Sequence, residues 1–238
     1  MLNKKKKERI LLKLSGEFLM GKQEYGVCPK TVARIAGEIK LAHKKGFEIC
    51  IVIGGGNIFR GISASAKGME RTSADYMGML ATVMNCVAMQ NALEKANVPT
   101  LLQSAMPVGD VCEPFRKRSA MTAIKKGSVI IFAGGLGVPF FTTDTTAAIR
   151  ASEMECDMVL KATKVDGVYD SDPMKNKKAK RFDEMSYHDV LSQELQVMDL
   201  SSITLLKENN IPLKVFSLGK KGNLEKVLNN KGLFTLVS

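Results

Sequence analysis

Ile49-Cys50-Ile51-Val52-Ile53-Gly54-Gly55-Gly56-Asn57-Ile58-Phe59-Arg60-Gly61 is an apolar run that ends directly in glycines. The run reads as a buried strand, and glycines at its end let backbone N–H groups close on a phosphate chain. Arg60 can add a charge-assisted fork to the phosphate oxygens. The stretch therefore reads as a phosphate cradle. It is not the dinucleotide fingerprint, because the third glycine of Gly-x-Gly-x-x-Gly would fall on Phe59, and Gly-x-x-x-x-Gly-Lys-Ser/Thr occurs nowhere in the chain. A tight glycine turn with no ligand is the competing reading.

Working outward, strand-like segments recur at Ile10 to Leu14, Phe47 to Ile53, Thr100 to Gln103, Val129 to Ala133, Met158 to Lys161, Leu213 to Phe216 and Leu233 to Val237. Amphipathic stretches lie between them, among them Pro29 to Lys45, Ser73 to Ala96, Pro114 to Lys126 and Thr145 to Glu155. Apolar strands alternating with helices predict an α/β fold with a mostly parallel sheet covered on both faces. In such sheets ligands lie beyond the carboxyl ends of the strands.

That rule sorts the remaining motifs. Lys13-Leu14-Ser15-Gly16 ends the first strand, Gly134 to Asp144 follows the Val129 strand, and Lys161 to Tyr169 ends the Met158 strand. Together with the Gly54 cradle these loops converge on one edge of the sheet, which unrelated glycine turns would not do. Lys13 suits a transferring phosphoryl group, whose charge it can neutralise, while Ser15 and Gly16 offer hydroxyl and backbone donors. A lysine that merely shields a strand is the alternative. Thr142-Thr143-Asp144 opens a helix, so Asp144 is either a simple first-turn residue or the group that holds lysine side chains in place.

At 238 residues the chain can hold one large α/β domain or two small ones. A net charge of +11 means the surface attracts polyanions: nucleotides, nucleic acid or anionic lipid. Part of the excess is local, in Lys4 to Lys7 with Arg9 and in Lys175 to Arg181, runs that read as solvated tail and loop. No apolar segment approaches the roughly 20 residues that span a bilayer, and Ile10-Leu11-Leu12 is too short for a signal core. The five cysteines are widely spaced with no Cys-x-x-Cys, and there are only two histidines, so neither a zinc site nor cysteine–histidine catalysis is expected. The thiols fit a reducing cytoplasm. Met77, Leu80, Met84, Val87 and Leu93 recur at helical spacing, which reads as core packing, with a subunit interface as the other reading.

The chain resembles the bacterial UMP kinases of the amino-acid kinase superfamily. The resemblance rests on Lys13-Leu14-Ser15-Gly16, the Gly54 to Gly61 loop, Asp75 with Met77 to Asn85, Pro139-Phe140-Phe141-Thr142-Thr143-Asp144, Val165-Asp166-Gly167-Val168-Tyr169 and Val197-Met198-Asp199. It implies a three-layer αβα sandwich around a mostly parallel twisted sheet. It implies a basic tail over residues 1–8 and a single kinase domain over 9–238, its acceptor-side half about 9–157 and its ATP-side half about 158–238. The implied reaction is ATP + UMP to ADP + UDP with Mg²⁺, in pyrimidine nucleotide biosynthesis, by a cytoplasmic homohexamer whose long helix makes dimer contacts.

Carried over by position, the resemblance puts Lys13, Leu14, Ser15, Gly16, Gly56, Arg60, Thr163, Tyr169 and Asp172 against ATP. It puts Gly55, Asp75, Leu136, Gly137, Val138, Pro139, Phe140, Phe141, Thr142 and Thr143 against UMP, with Asp75 accepting from ribose hydroxyls. Lys13, Arg60 and Asp144 are the implied catalytic residues, and Lys161 and Lys164 both qualify as a second lysine. No side chain is expected to bind the metal, which would ride on the nucleotide phosphates. Many relatives have threonine and asparagine where this chain has Leu136 and Val138. Relatives activated by GTP carry arginine and histidine where it has Gln90, Asn91 and Glu94, which argues against GTP activation, whereas feedback by UTP is implied. Two rival functions are another small-molecule kinase of the superfamily and a nucleic-acid-binding regulatory role.

Overall fold

The structure, a computed structural model, describes residues 7–59, 68–195, 197–219 and 221–238. Arg60 and Gly61 of the cradle, and most of the basic tail, lie outside the described residues. The strands are β1 (Arg9–Leu14), β2 (Glu48–Ile53), β3 (Thr100–Ser104), β4 (Glu113–Pro114), β5 (Val129–Ala133), β6 (Met158–Thr163), β7 (Glu184–Met185), β8 (Leu213–Ser217) and β9 (Phe234–Val237). They form one nine-stranded sheet in the order β4-β3-β5-β2-β1-β6-β8-β9-β7. Every pairing among them is parallel except that of β8 with β9.

The helices are α1 (Pro29–Lys44), α2 (Arg71–Lys95), α3 (Lys117–Lys125), α4 (Thr143–Glu153), α5 (Tyr187–Ser192), α6 (Leu200–Glu208) and α7 (Asn223–Leu228). Successive side chains of a strand point to opposite faces, and the two cores follow that rule. Ile10, Leu12 and Leu14 of β1 and Ile49, Ile51 and Ile53 of β2 pack with α1, α2 and α7. Leu11, Cys50 and Val52 pack with α3, α4, α5 and α6. This is the three-layer αβα sandwich. Each fully buried leucine or isoleucine contributes about 1.5–3 kcal/mol, so the central strands anchor the fold.

The same alternation places Lys13 on the Leu11 face, under α4. Lys13 is 8 % exposed. It therefore lies at the carboxyl end of a central strand and shields no lateral edge.

Helix α2 departs from the expectation of core packing. Met77, Leu80, Met84 and Val87 are 39–59 % exposed, and of the apolar set only Leu93 is buried. The buried side of α2 is built from Ala74, Met79, Ala81, Val83, Cys86 and Met89 instead. Small residues there let the helix approach the sheet closely. Among the described residues no helix is long and apolar enough to cross a membrane.

Candidate active site

Lys13 and Lys161 are register partners on the adjacent parallel strands β1 and β6. Two ammoniums side by side repel each other unless a negative charge stands between them. Asp144 supplies it. Its Oδ1 lies 2.5 Å from Lys13 Nζ and its Oδ2 2.8 Å from Lys161 Nζ. All three side chains are largely buried, at 9 %, 15 % and 13 % exposure for Lys13, Asp144 and Lys161. Burial on its own would raise the Asp144 carboxyl, yet the two ammoniums hold it below the ordinary aspartate range. Burial pushes Lys161 below the usual lysine value, with Asp144 opposing that shift and Lys13 adding to it.

Asp144 is placed by the start of α4. Thr142 caps that helix, its hydroxyl accepting from the backbone N–H of Asp144 at 3.0 Å and of Thr145 at 3.4 Å. The Thr142 hydroxyl in turn donates to Asp199 Oδ2 at 2.5 Å, and Thr145 donates to the same carboxylate at 3.0 Å. Asp199 also caps α6 by accepting from the Ser202 N–H at 2.9 Å. Burial raises the Asp199 carboxyl, and the hydrogen bonds from Thr142 and Ser202 outweigh it and leave it low.

A cavity of about 400 Å³ opens beside Thr142 and Thr143. Gly55, Gly56 and Phe59 of the cradle form one wall, α2 another through Arg71, Asp75 and Met79, and Leu136, Val138 and Phe141 a third. Asp75 Oδ2 accepts from Arg71 Nε and from the Phe140 backbone N–H, both at 2.8 Å. Phe140 sits in left-handed backbone, at φ 72°, with the Arg71 guanidinium 5.4 Å from its ring centroid. A phenylalanine there stores about 1–3 kcal/mol, which the Asp75 hydrogen bond and the cation–π contact help to hold. Gly55 must be glycine for a different reason, close approach: a Cβ would lie 2.7 Å from the Gly78 carbonyl oxygen and 2.9 Å from the Ala81 Cβ.

A second cavity, of about 600 Å³, reaches the ion cluster through Lys161. Lys161, Thr163, Tyr169 and Asp172 line it, with Leu195 and Val197 opposite. The Tyr169 hydroxyl donates to Asp166 Oδ1 at 2.6 Å. Asp172 also forms a turn, Oδ1 accepting from the Met174 N–H at 2.9 Å.

Most residues singled out from the sequence are thus gathered at the carboxyl ends of β1, β2, β5 and β6. Leu14, Ser15 and Gly16 follow Lys13, and the Gly54 N–H donates to the Leu14 carbonyl at 2.9 Å, which ties the first loop to the cradle. Gly56 lines the first cavity beside Gly55. Gly137 and Pro139 lie between lining residues without lining it themselves. The two candidate second lysines separate: Lys161 is on Asp144, while Lys164 is 67 % exposed and pairs with Glu17 at 2.6 Å. Arg71 was missed, although its i,i+4 spacing to Asp75 on one helix is a readable signal.

A sequence model of the amino acid kinase family matches residues 8–217. The uridylate kinase of Zymomonas mobilis is 56 % identical over 96 % of this chain and 95 % of its own length, and that of Erythrobacter litoralis is 56 % identical over 97 % of each. The crystal structure of UMP kinase from Ureaplasma parvum superposes with a TM-score of 0.93 at 39 % identity, covering 98 % of this chain and 100 % of that one. By these likenesses over nearly its whole length, the chain belongs to the amino acid kinase family, in its uridylate kinase branch.

Proposed function

We infer that the protein transfers the γ-phosphoryl group of ATP to UMP, giving ADP and UDP. Its likeness to uridylate kinases over nearly the whole chain supports the reaction. One observation carries it onto particular residues: the cluster of Lys13, Asp144 and Lys161 adjoins two cavities, the first through Thr143 beside Asp144 and the second through Lys161, each of nucleotide-binding size. A phosphate oxygen of UMP attacks the γ-phosphorus; the new P–O bond forms as the bond to the β-phosphate bridge breaks, and that electron pair leaves with ADP. The attacking oxygen is already anionic, so no side chain has to remove a proton. What remains for the protein is alignment and positive charge.

Lys13 and Lys161 neutralise charge on the transferring group, Arg60 adds to them, and Asp144 fixes the direction of both lysines. UMP occupies the first cavity, with Asp75 accepting from its ribose and the backbone around residues 136–143 meeting the base. ATP reaches from the loop after β1 into the second cavity, where Thr163, Tyr169 and Asp172 line its adenosine end. The cavities draw on residues 55–143 and 161–215, in keeping with an acceptor-side and an ATP-side half.

The nearby carboxylates are committed, Asp144 to two ammoniums and Asp199 to hydroxyl and amide donors. Among the described residues no group of three or more His, Cys, Asp or Glu is placed to hold a metal ion. This donor set suits an Mg²⁺ ion carried on the ATP phosphates, where it would offset charge shared by the β- and γ-oxygens.

The exposed stripe of Tyr76, Met77, Leu80, Met84 and Val87 on α2 supports self-association, within the cytoplasmic homohexamer, a trimer of dimers, that the resemblance implies. UTP, which shares the uridine, is the feedback inhibitor. Gln90 donates to Glu94 across one turn of α2 at 3.0 Å, and this polar pair gives no cation for a GTP phosphate.

The test is ATP- and Mg²⁺-dependent UDP formation, run beside CMP, aspartate and glutamate as alternative acceptors. Lys13→Ala and Arg60→Ala should each remove most turnover while the far-ultraviolet circular dichroism is kept. Phosphorylation of aspartate or glutamate in place of UMP would overturn the reading.

A further inference from the structure

Asn85 takes no part in either cavity wall, yet it is fully buried beneath the glycine loops. It projects from α2 and spends both amide hydrogens on them: Nδ2 donates to the Gly54 carbonyl and to Asn57 Oδ1, each at 2.7 Å. Its Oδ1 accepts from Asn57 Nδ2 at 3.0 Å, which makes the two amides a reciprocal pair. Asn57 Nδ2 donates further to the Gly26 carbonyl at 2.8 Å, and Asn57 is only 3 % exposed.

The two oxygens that Asn85 holds are the same two that crowd Gly16. A Cβ on Gly16 would lie 2.3 Å from Asn57 Oδ1 and 2.4 Å from the Gly54 carbonyl oxygen. Gly16 belongs to the loop after β1 and Gly54 to the loop after β2, so a single side chain on α2 fixes the seat on which the two loops meet. One turn earlier, the Thr82 hydroxyl accepts from the Gly134 N–H at 2.9 Å and donates to the Met79 carbonyl at 2.7 Å. Helix α2 thereby reaches the loop after β5 as well.

We propose that Asn85, acting through Asn57, is a positioning residue for phosphoryl transfer: it sets the spacing between the loop after β1 and the cradle after β2. The inference rests on the kinase reading above. A carboxylate in its place has no hydrogen to give, so Asn85→Asp turns two attractive contacts into oxygen facing oxygen at unchanged size. The loops separate, and near-attack geometry is sensitive to shifts of about 1 Å, which cost on the order of 100-fold in rate.

The experiment measures kcat and both KM values of UDP formation for the wild type, Asn85→Asp, Asn57→Ala and the double variant, with thermal melts in parallel. The expected result is kcat lowered on the order of 100-fold in each single variant at saturating ATP and UMP, with the double variant no worse than the poorer single. Such non-additivity marks a unit, and a residue that only stabilises the fold would lower the melting temperature and leave kcat of the folded enzyme alone. If Asn85→Asp does not fold, Asn57→Ala, which changes a loop and leaves α2 intact, is read in its place. A kcat within threefold of wild type in the folded variants would overturn the proposal. Failure of the wild type to form UDP would instead overturn the kinase reading.

Discussion

Replacing Asp144 by asparagine keeps the side-chain volume and removes one charge, leaving Lys13 and Lys161 as neighbouring cations without their shared counter-ion and with only the more distant Asp199 acting on Lys161. Surface ion pairs are worth little, but these side chains are only 9–15 % exposed, so the range for breaking a buried pair applies. That is about 3–5 kcal/mol, a large part of the roughly 5–15 kcal/mol by which folded domains are stable. For a chain of this size, about 2–4 °C per kcal/mol puts the fall in melting temperature near 10 °C at pH 7.

The loss has a defined pH dependence. Lys161 titrates in the folded protein below its ordinary value, so between the two values the unfolded chain binds more protons and stability rises with pH. Without Asp144, which opposes that shift, the folded value falls further and the window widens downward. Asp144→Asn should therefore be penalised more at pH 7 than at pH 9.5. Because the chain has no tryptophan, far-ultraviolet circular dichroism melts at the two pH values are the assay. A change below about 1 kcal/mol, or an equal loss at both pH values, would refute the charge argument. At the acid end the wild type again gains stability as pH rises: Asp144 is held low, so its contribution is lost as pH falls through its folded value, and the variant should show a flatter acid limb.

The two candidate second lysines give opposite expectations. Lys161→Met should lower kcat by 100-fold or more, as loss of one electrostatic stabiliser does, whereas Lys164→Met, removing an exposed pair with Glu17, should stay within about threefold; equal effects would dismiss the assignment. Gly55→Ala forces α2 away from the cradle, costing about 1–3 kcal/mol, and should raise the KM for UMP more than that for ATP, with an unchanged UMP KM counting against the placement of the acceptor.

The central strands were legible because their sequences are apolar on both faces, as only strands flanked on each side can be. Val129–Ala133 is one such run. Strands β4 and β7 carry two residues each and have no periodicity to read. The short helices α5, α6 and α7 were passed over because tertiary packing and caps stabilise them more than propensity does. A signal did exist: Ser186 and Asp189 form a capping box in front of α5. On α2 the spacing of large apolar residues was right and the buried face wrong, since the helix turns small residues such as Ala74 and Ala81 inward, where Gly55 needs room. Lysines 161 and 164 looked equivalent until the end of β6 at Thr163 was fixed. Lys161 shares a strand register with Lys13, and Lys164 falls beyond the strand.

Asp144 grips one lysine from the strand that opens the chain and one from a strand formed only after residue 157. A nascent polypeptide that has folded its early part alone carries an aspartate and a single ammonium, which neutralise each other. The ion cluster is thus complete only when the later strand docks beside the first.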